Sequence, residues 1–553
     1  MTFTRAAAAT LALALGPLAP GASADTYPRQ PGIDIEHYVF RLVLEDASDE
    51  IRGEASVDVR FITAGVDRVT LDLAGRAASR NGRGMLVGAV TEDGAARPFE
   101  HAGDRLSIPL SRPAQAGERR RLTVTYAGVP ATGLRIAPTR HGDRAFFSDN
   151  WPDLARHWLP TLDHIADKAT GEMVVTAPAP YQVVSNGLLV EETDLGDGRR
   201  RTHWRMDQPI PPWLFALGAT RFAVDHRPAW RGRPVQTWVF APDRDAGFFD
   251  FAEPTVAALD FFDQRIGAYA YDRLAHVQSN SVSGGMESAT AIFYDDDAVT
   301  GRREPRWQRV IVHEIAHQWF GNAVTEANWD HVWLSEGFAT YMTLCFFEYR
   351  DGRDAFVEGL LRSRDSVRTF AAARPGYRIL HENLADTAQV VTRQIYEKGA
   401  WLLHMLRGLV GDTAFWAGVR DYYATHLHGS ALTADLQRAM ERAAGRDLGW
   451  FFDQWLTRGD LPDLQGSWSY DAARAGVVLD LRQEQPGPPY RLSMDVEVRV
   501  PDAPTTLSRI DVSERVAQVV IPASGVPTAV TVDPGTRLLT KGDVVLARRQ
   551  PGG

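Results

Sequence analysis

The sequence predicts a multidomain α+β protein: an N-terminal antiparallel β domain, a mostly helical central domain and a small C-terminal β domain. Two observations carry this. Apolar residues recur with period two from about residue 35 to 225 and again after Pro462, and with a longer, helical period in between. The chain has 553 residues, several times a typical domain of roughly 150, so several cores are expected.

The first residues read as a leader. Arg5 supplies a positive start, Ala6 to Leu18 form a short apolar stretch, and Ala22-Ser23-Ala24 offers the small-x-small pattern that predicts cleavage before Asp25. Gly16, Pro17 and Pro20 interrupt a run that would need roughly 20 apolar residues to span a bilayer. Residues 1–24 are therefore expected to be a signal peptide. The protein is expected to be exported, periplasmic or secreted, with no membrane span in the mature chain.

The β domain is expected over residues 25–228. Ala55, Val57, Val59 and Phe61 alternate with polar residues, as do Val69, Leu71 and Leu73, and Leu122, Val124 and Tyr126. The central domain is expected over 229–460, with helices at 254–266, 304–320, 334–349, 354–372, 399–409, 413–426 and 433–444. Gly411 suits a helix stop and Asp412 an N-cap start. The last domain is expected over 461–553, where Leu492, Met494, Val496, Val498 and Val500 alternate strictly and Val519 to Ile521 runs into Pro522.

Composition excludes several classes. With 60 basic and 70 acidic residues the net charge is −10, so no general basic field exists to attract nucleic acid. A single cysteine, Cys345, cannot form an intramolecular disulfide or a cysteine-ligated zinc cage. Oligomeric state is not legible in these features.

The strongest local signal is His313-Glu314-Ile315-Ala316-His317 inside an apolar helical pattern that Gly321 can end. Residues four apart share a helical face, so both imidazoles can bind one metal ion with Glu314 beside it. On these five residues alone, a satisfied pair of helical histidines remains an alternative. Eighteen residues separate His317 from Glu336, enough for a loop and a return helix. Glu336 is flanked by apolar Trp333, Leu334, Phe338 and Ala339, and an inward-facing carboxylate needs a cation. Two histidines and a glutamate suit a catalytic zinc, because such sites use three protein ligands and leave one position open.

This spacing resembles that of the gluzincin aminopeptidases, the aminopeptidase N family, and Asn328 to Gly337 looks most like its leukotriene epoxide hydrolase branch. Two further stretches, Gly284-Gly285-Met286-Glu287-Ser288 upstream and Tyr396-Glu397-Lys398-Gly399-Ala400 downstream, resemble family motifs in the family's order. The resemblance covers roughly residues 30 to 460. It implies a thermolysin-like catalytic domain followed by a β-sandwich, and one zinc ion per chain on His313, His317 and Glu336. Gly284, Gly285, Met286 and Glu287 are the implied substrate-binding residues, with Glu287 taking the free α-amino group of a peptide. Gly284 and Gly285 lack side chains, so a peptide backbone could approach there as an added strand, although a Gly-Gly pair alone reads as a turn. Glu314 is the implied general base and Tyr396 the implied donor to the developing oxyanion.

Two positions depart from the pattern. Ser288 stands where the family has Asn, and Trp151 falls where many members have Gln or Glu to help hold the amino group, leaving that task to Glu287 alone or with a neighbour such as Asp149. Partners that orient His313 and His317 are expected but not identifiable. A chain ending at Gly553 leaves no length for the large helical C-terminal domain of longer members, which implies a more open cleft. The reading is an exported zinc aminopeptidase acting on peptides with a free N-terminus. A thermolysin-like endopeptidase, an epoxide hydrolase and a non-catalytic peptide-binding protein are the alternatives. The last would need a lost ligand or base, and His313, His317, Glu336 and Glu314 are all present.

Overall fold

The period-two segments form sheets because their alternation leaves one apolar face to bury. Ala55, Val57, Val59 and Phe61 are fully buried on the strand Ile51–Phe61. Ala55 and Val57 lie opposite Val124 and Leu122 of the strand Arg119–Val129. On the outward face Asp58 pairs with Arg121 at 2.6 Å. The computed structural model describes residues 26–381 and 391–549, so the expected leader and its cleavage site lie outside the described residues. Within them the N-terminal part is an eight-stranded sheet with a four-stranded and a three-stranded sheet beside it. The expectation of a purely antiparallel domain needs one correction: Ile33–Val43 and Ala169–Pro178 pair in parallel. The more than 120 residues between them form other strands, and so supply the long crossover a parallel pair requires.

A five-stranded mixed sheet opens the central part, in the order Phe222–Trp230, Arg233–Phe240, Leu274–Ser279, Ala291–Asp295, Gly285–Met286. Its first strand straddles residue 228, where a boundary was expected. The inner strands of this sheet show no alternation because they are almost wholly buried: Leu274–Ser279 is buried at all six positions.

The helices follow. They are α1 (Arg244–Asp250), α2 (Thr255–Arg265), α3 (Pro305–His317), α4 (Trp333–Asp351), α5 (Arg353–Ala373), α6 (Gly399–Val410), α7 (Asp412–His426), α8 (Thr433–Ala444) and α9 (Gly449–Thr457). The seven expected helices are all present. The short α1 and α9 carry too few turns for a period to show. Gly411 ends α6 at φ +85° and also precedes α7 directly. Asp412 is therefore the first helical residue rather than the cap, and its carboxylate accepts from Arg407 at 2.9 Å.

After α9 two sheets face one another, one of four strands and one of three. Leu492, Met494, Val496 and Val498 from one sheet and Val477, Leu479 and Leu481 from the other are buried in a common core. This is the expected small sandwich. Among the described residues, no helix is long and apolar enough to cross a membrane.

Candidate metal centre

Helix α3 buries Ile311, Val312, Ile315 and Ala316 and carries His313 and His317 on an adjoining face. The helix stops at His317, three residues short of the expected end. Gln318, Trp319 and Phe320 form a turn that bonds back to Ile315 and Ala316. That early stop has a use. The Phe320 carbonyl accepts from His317 Nδ1 at 3.1 Å, and Ser335 Oγ lies 3.0 Å from the same nitrogen. A proton held on Nδ1 leaves the lone pair of Nε2 free. Gly321, at φ +107°, completes the turn, and a Cβ there would collide with Ser335 Oγ.

Helix α4 packs on α3 and puts Glu336 in its first turn. Three atoms converge as a result. His313 Nε2 and His317 Nε2 lie 3.0 Å apart, and each is 3.2 Å from Glu336 Oε2. Four-coordinate zinc with donors at about 2.0–2.1 Å has donor–donor edges of roughly 3.3 Å, so this triangle fits one zinc ion almost without adjustment. The charges ask for the same thing. Glu287, Glu314 and Glu336 are all buried, at 6%, 5% and 6% exposed. Burial, then the charge of Glu287, pushes the Glu314 carboxyl well above its ordinary range. Burial alone would raise Glu336 too, but His317 and the hydrogen bonds from both imidazoles hold it low. Three buried acids around two imidazoles need a cation.

The remaining residues surround this triangle. Glu314 Oε2 is buried without a hydrogen-bond partner. Gly285 lies against it so closely that a Cβ would fall inside the Glu314 carboxylate, so the glutamate alone already requires a glycine here. Gly284 has φ +91° and open space around it. Gly285–Met286 pairs with Tyr294 and Phe293 as the edge strand of the mixed sheet. Glu287 Oε1 lies 3.9 Å from His317 Nδ1. Its backbone carbonyl is fixed by Gln318 Nε2 at 2.9 Å and Asn322 Nδ2 at 2.7 Å, two donors from the loop after α3.

Tyr396 sits in a π-helical turn, Gln394–Lys398, with its ring stacked toward His313 at 6.0 Å and 20°. Burial and then the Glu336 and Glu287 charges keep its phenol protonated. Asp149 and Trp151, from the N-terminal part, complete the wall of a cavity of about 1060 Å³. Trp151 packs edge-on against Trp329 at 5.2 Å, and burial raises Asp149 to about 6. The residues singled out in the three motifs thus meet at one cavity, apart from Gly284, which adjoins it, and Ser288, which is buried outside its lining.

The groups missed by sequence are Gln318, Asn322, Ser335 and the Phe320 carbonyl. Adjacency to His317 and Glu336 could have flagged Gln318 and Ser335. The carbonyl had no signal, because any residue has one.

A His-His-Glu donor set on two packed helices, facing the edge of a mixed sheet, is the arrangement of a metallopeptidase fold. Comparison with known proteins narrows this. Residues 35–214 match the peptidase M1 N-terminal domain and residues 251–455 the peptidase family M1 domain. The chain belongs to peptidase family M1. It is 25% identical over 362 residues to glutamyl aminopeptidase of Bitis rhinoceros, covering 63% of this chain and 37% of that protein. It is 28% identical over 326 residues to aminopeptidase 2 of Candida albicans, covering 56% and 35%. The chain therefore spans well under half the length of these curated relatives. The M1 zinc metallopeptidase of Deinococcus radiodurans superposes with TM-score 0.66 at 25% identity over 78% of this chain and 95% of that one. A two-domain M1 zinc metallopeptidase variant bound to L-tryptophan does so with TM-score 0.67 at 25% identity over 78% and 96%.

Proposed function

We propose that the protein is an exported zinc aminopeptidase that removes N-terminal residues from peptides. The observation that carries the reading is Glu287, a buried carboxylate beside the metal-binding triangle. Among the described residues it has no Lys or Arg in ion-pair reach and only the imidazole of His317, itself a metal-ligand candidate, at 3.9 Å. The α-ammonium of a peptide is the natural cation for that position. Held by His313, His317 and Glu336, a zinc ion would supply a Lewis acid for the scissile carbonyl and lower the pKa of water.

The residues do the rest. The free edge of Gly285–Met286 faces the cavity and can pair with an extended substrate, which orients the scissile bond. The unbonded Oε2 of Glu314 takes a proton from the attacking water and returns it to the leaving amine. The Tyr396 phenol donates to the carbonyl oxygen as negative charge develops there.

The test compares peptides with a free N-terminus and their N-acetylated forms. An acetylated terminus leaves Glu287 buried and unpaired, so kcat/KM should fall by about 10²-fold or more. Comparable values for the two would replace this reading with that of a general zinc endopeptidase. Export rests on the leader at residues 1–24, and N-terminal sequencing of the mature protein should begin at Asp25.

A further inference from the structure

The cavity is lined by charges of both signs. Glu287 lines it beside His317, with Asp149 as a further acid. Arg306, Arg309 and Arg362 line it as well, together with Arg393 and Glu397 by the turn that bears Tyr396. Arg309 and Arg306 precede His313 by four and seven residues on α3. At about 1.5 Å per residue they lie roughly 6 and 10 Å beyond His313 along the helix axis, away from Glu287. Past them the cavity meets a second groove of about 410 Å³, which shares Arg309, Thr343, Leu344, Gly359 and Arg362 with it.

The cations of that groove are mostly spoken for. Arg303 pairs with Glu253 at 3.2 Å, Arg350 with Asp351 at 2.6 Å, and Arg362 with Glu358. Among the described residues, no carboxylate lies within ion-pair reach of Arg306 or Arg309. Arg306 and Arg309 are both exposed, and partial desolvation, then repulsion from Arg362, lowers the pKa of Arg309. The Arg306 guanidinium lies over the Trp307 ring at 4.6 Å, which docks it in place. Both arginines stand near the N-terminal end of α3, where the helix dipole favours acids, and the first turn carries none. A bound anion would relieve each of these conflicts. An extended peptide rises about 3.3 Å per residue, so these cations stand about two to three residues past the scissile bond.

We propose that Arg306 and Arg309 form the subsite for the leaving part of the peptide and select a carboxylate there, from either an acidic side chain or a free C-terminus. The inference rests on the aminopeptidase reading, which fixes the amino end of the substrate at Glu287. Two substrate pairs test it on the full chain loaded with zinc. The first pair is Leu-Ala-Asp-Ala-amide against Leu-Ala-Lys-Ala-amide. The second is Leu-Ala-Ala as the free acid against the same tripeptide amide. The wild-type protein should prefer the carboxylate-bearing member of at least one pair by about tenfold in kcat/KM, and the preference should shrink as salt is raised. A preference in the first pair alone assigns the side chain, and in the second alone the terminus.

Arg309→Glu, and separately Arg306→Glu, should abolish or invert the preference. Because the ratio is read within each variant, a loss of folded protein cancels. Equal kcat/KM within both pairs, or ratios unchanged in both variants, would overturn the subsite. Failure to release Leu from any of the four peptides, the uncharged amide included, would instead remove the aminopeptidase reading and this inference with it.

Discussion

Glu314 is held against Gly285 with one oxygen unbonded in a buried site, an arrangement that stores a base rather than stabilises a fold. Glu314→Gln keeps the shape and the metal ligands, so zinc content by metal analysis should stay near one per chain while kcat falls by about 10²–10⁴-fold. Parallel loss of zinc and activity would make Glu314 a ligand instead. Tyr396→Phe should likewise retain metal and KM, with kcat lowered by about 10²–10³-fold, since its hydrogen bond strengthens only as charge develops. Unchanged kcat would take Tyr396 out of the mechanism. Asp149 shows the cost of a carboxylate kept ready in a cavity wall. Burial lifts it to about 6 in the fold, against about 3.9 in an unfolded chain. The folded state therefore binds the proton more tightly, and the stability this contributes is present below about pH 4 and lost as pH rises through 6. Asp149→Asn should accordingly stabilise the protein by about 2–3 kcal/mol at pH 8, with the gain fading toward pH 4 in denaturant titrations. A gain independent of pH would mean that the carboxylate is not desolvated.

At the scale of elements, the third motif owes its position to a contact between two glycines. A Cβ on Gly337 of α4 would come within 2.9 Å of Gly399 Cα at the start of α6, and the reverse holds too. The two backbones touch there, which brings the turn bearing Tyr396 against Glu336. Gly337→Ala should force the helices apart, costing about 1–3 kcal/mol in the melting equilibrium. It should also lower kcat by at least about tenfold by displacing Tyr396. A destabilised variant with full kcat would show that the turn is placed by something else. The sequence made this site unusually legible. The four-residue spacing of His313 and His317 dictates a shared helical face, and the apolar neighbours of Glu336 dictate that it points inward. What stayed hidden follows from the same logic: the strand Leu274–Ser279 is buried on both faces and so shows no alternation, α1 and α9 are too short for a period, and the hydrogen bonds that orient His317 and Glu287 come from a backbone carbonyl, from Ser335 of α4 and from polar side chains of the loop after α3, which no periodicity marks.

Across the whole molecule, the N-terminal sheets are joined to the site by polar bonds as well as by apolar contact. One continuous buried cluster runs from Ile33 to Leu539. Within it Asn186, 3% exposed, donates through Nδ2 to the Leu214 carbonyl at 2.9 Å and to the Ala289 carbonyl at 2.6 Å, and accepts from Ala216 N at 2.7 Å. Gly187 N adds a bond to Thr290 Oγ1 at 2.7 Å. Ala289 and Thr290 follow Glu287 by two and three residues, so the N-terminal part grips the segment that presents this carboxylate to the cavity. Asn186→Ala would strand two carbonyls and an N–H in a dry interior, at a cost of about 2–4 kcal/mol. Because the bonds span both parts, the loss should lower one shared calorimetric transition rather than split it in two. It should also weaken discrimination between free and acetylated peptides, since Glu287 is then less firmly placed. A variant with two separate transitions would mean that the parts fold independently, and one with unaltered discrimination would mean that Gln318 and Asn322 hold Glu287 without help from the N-terminal sheets.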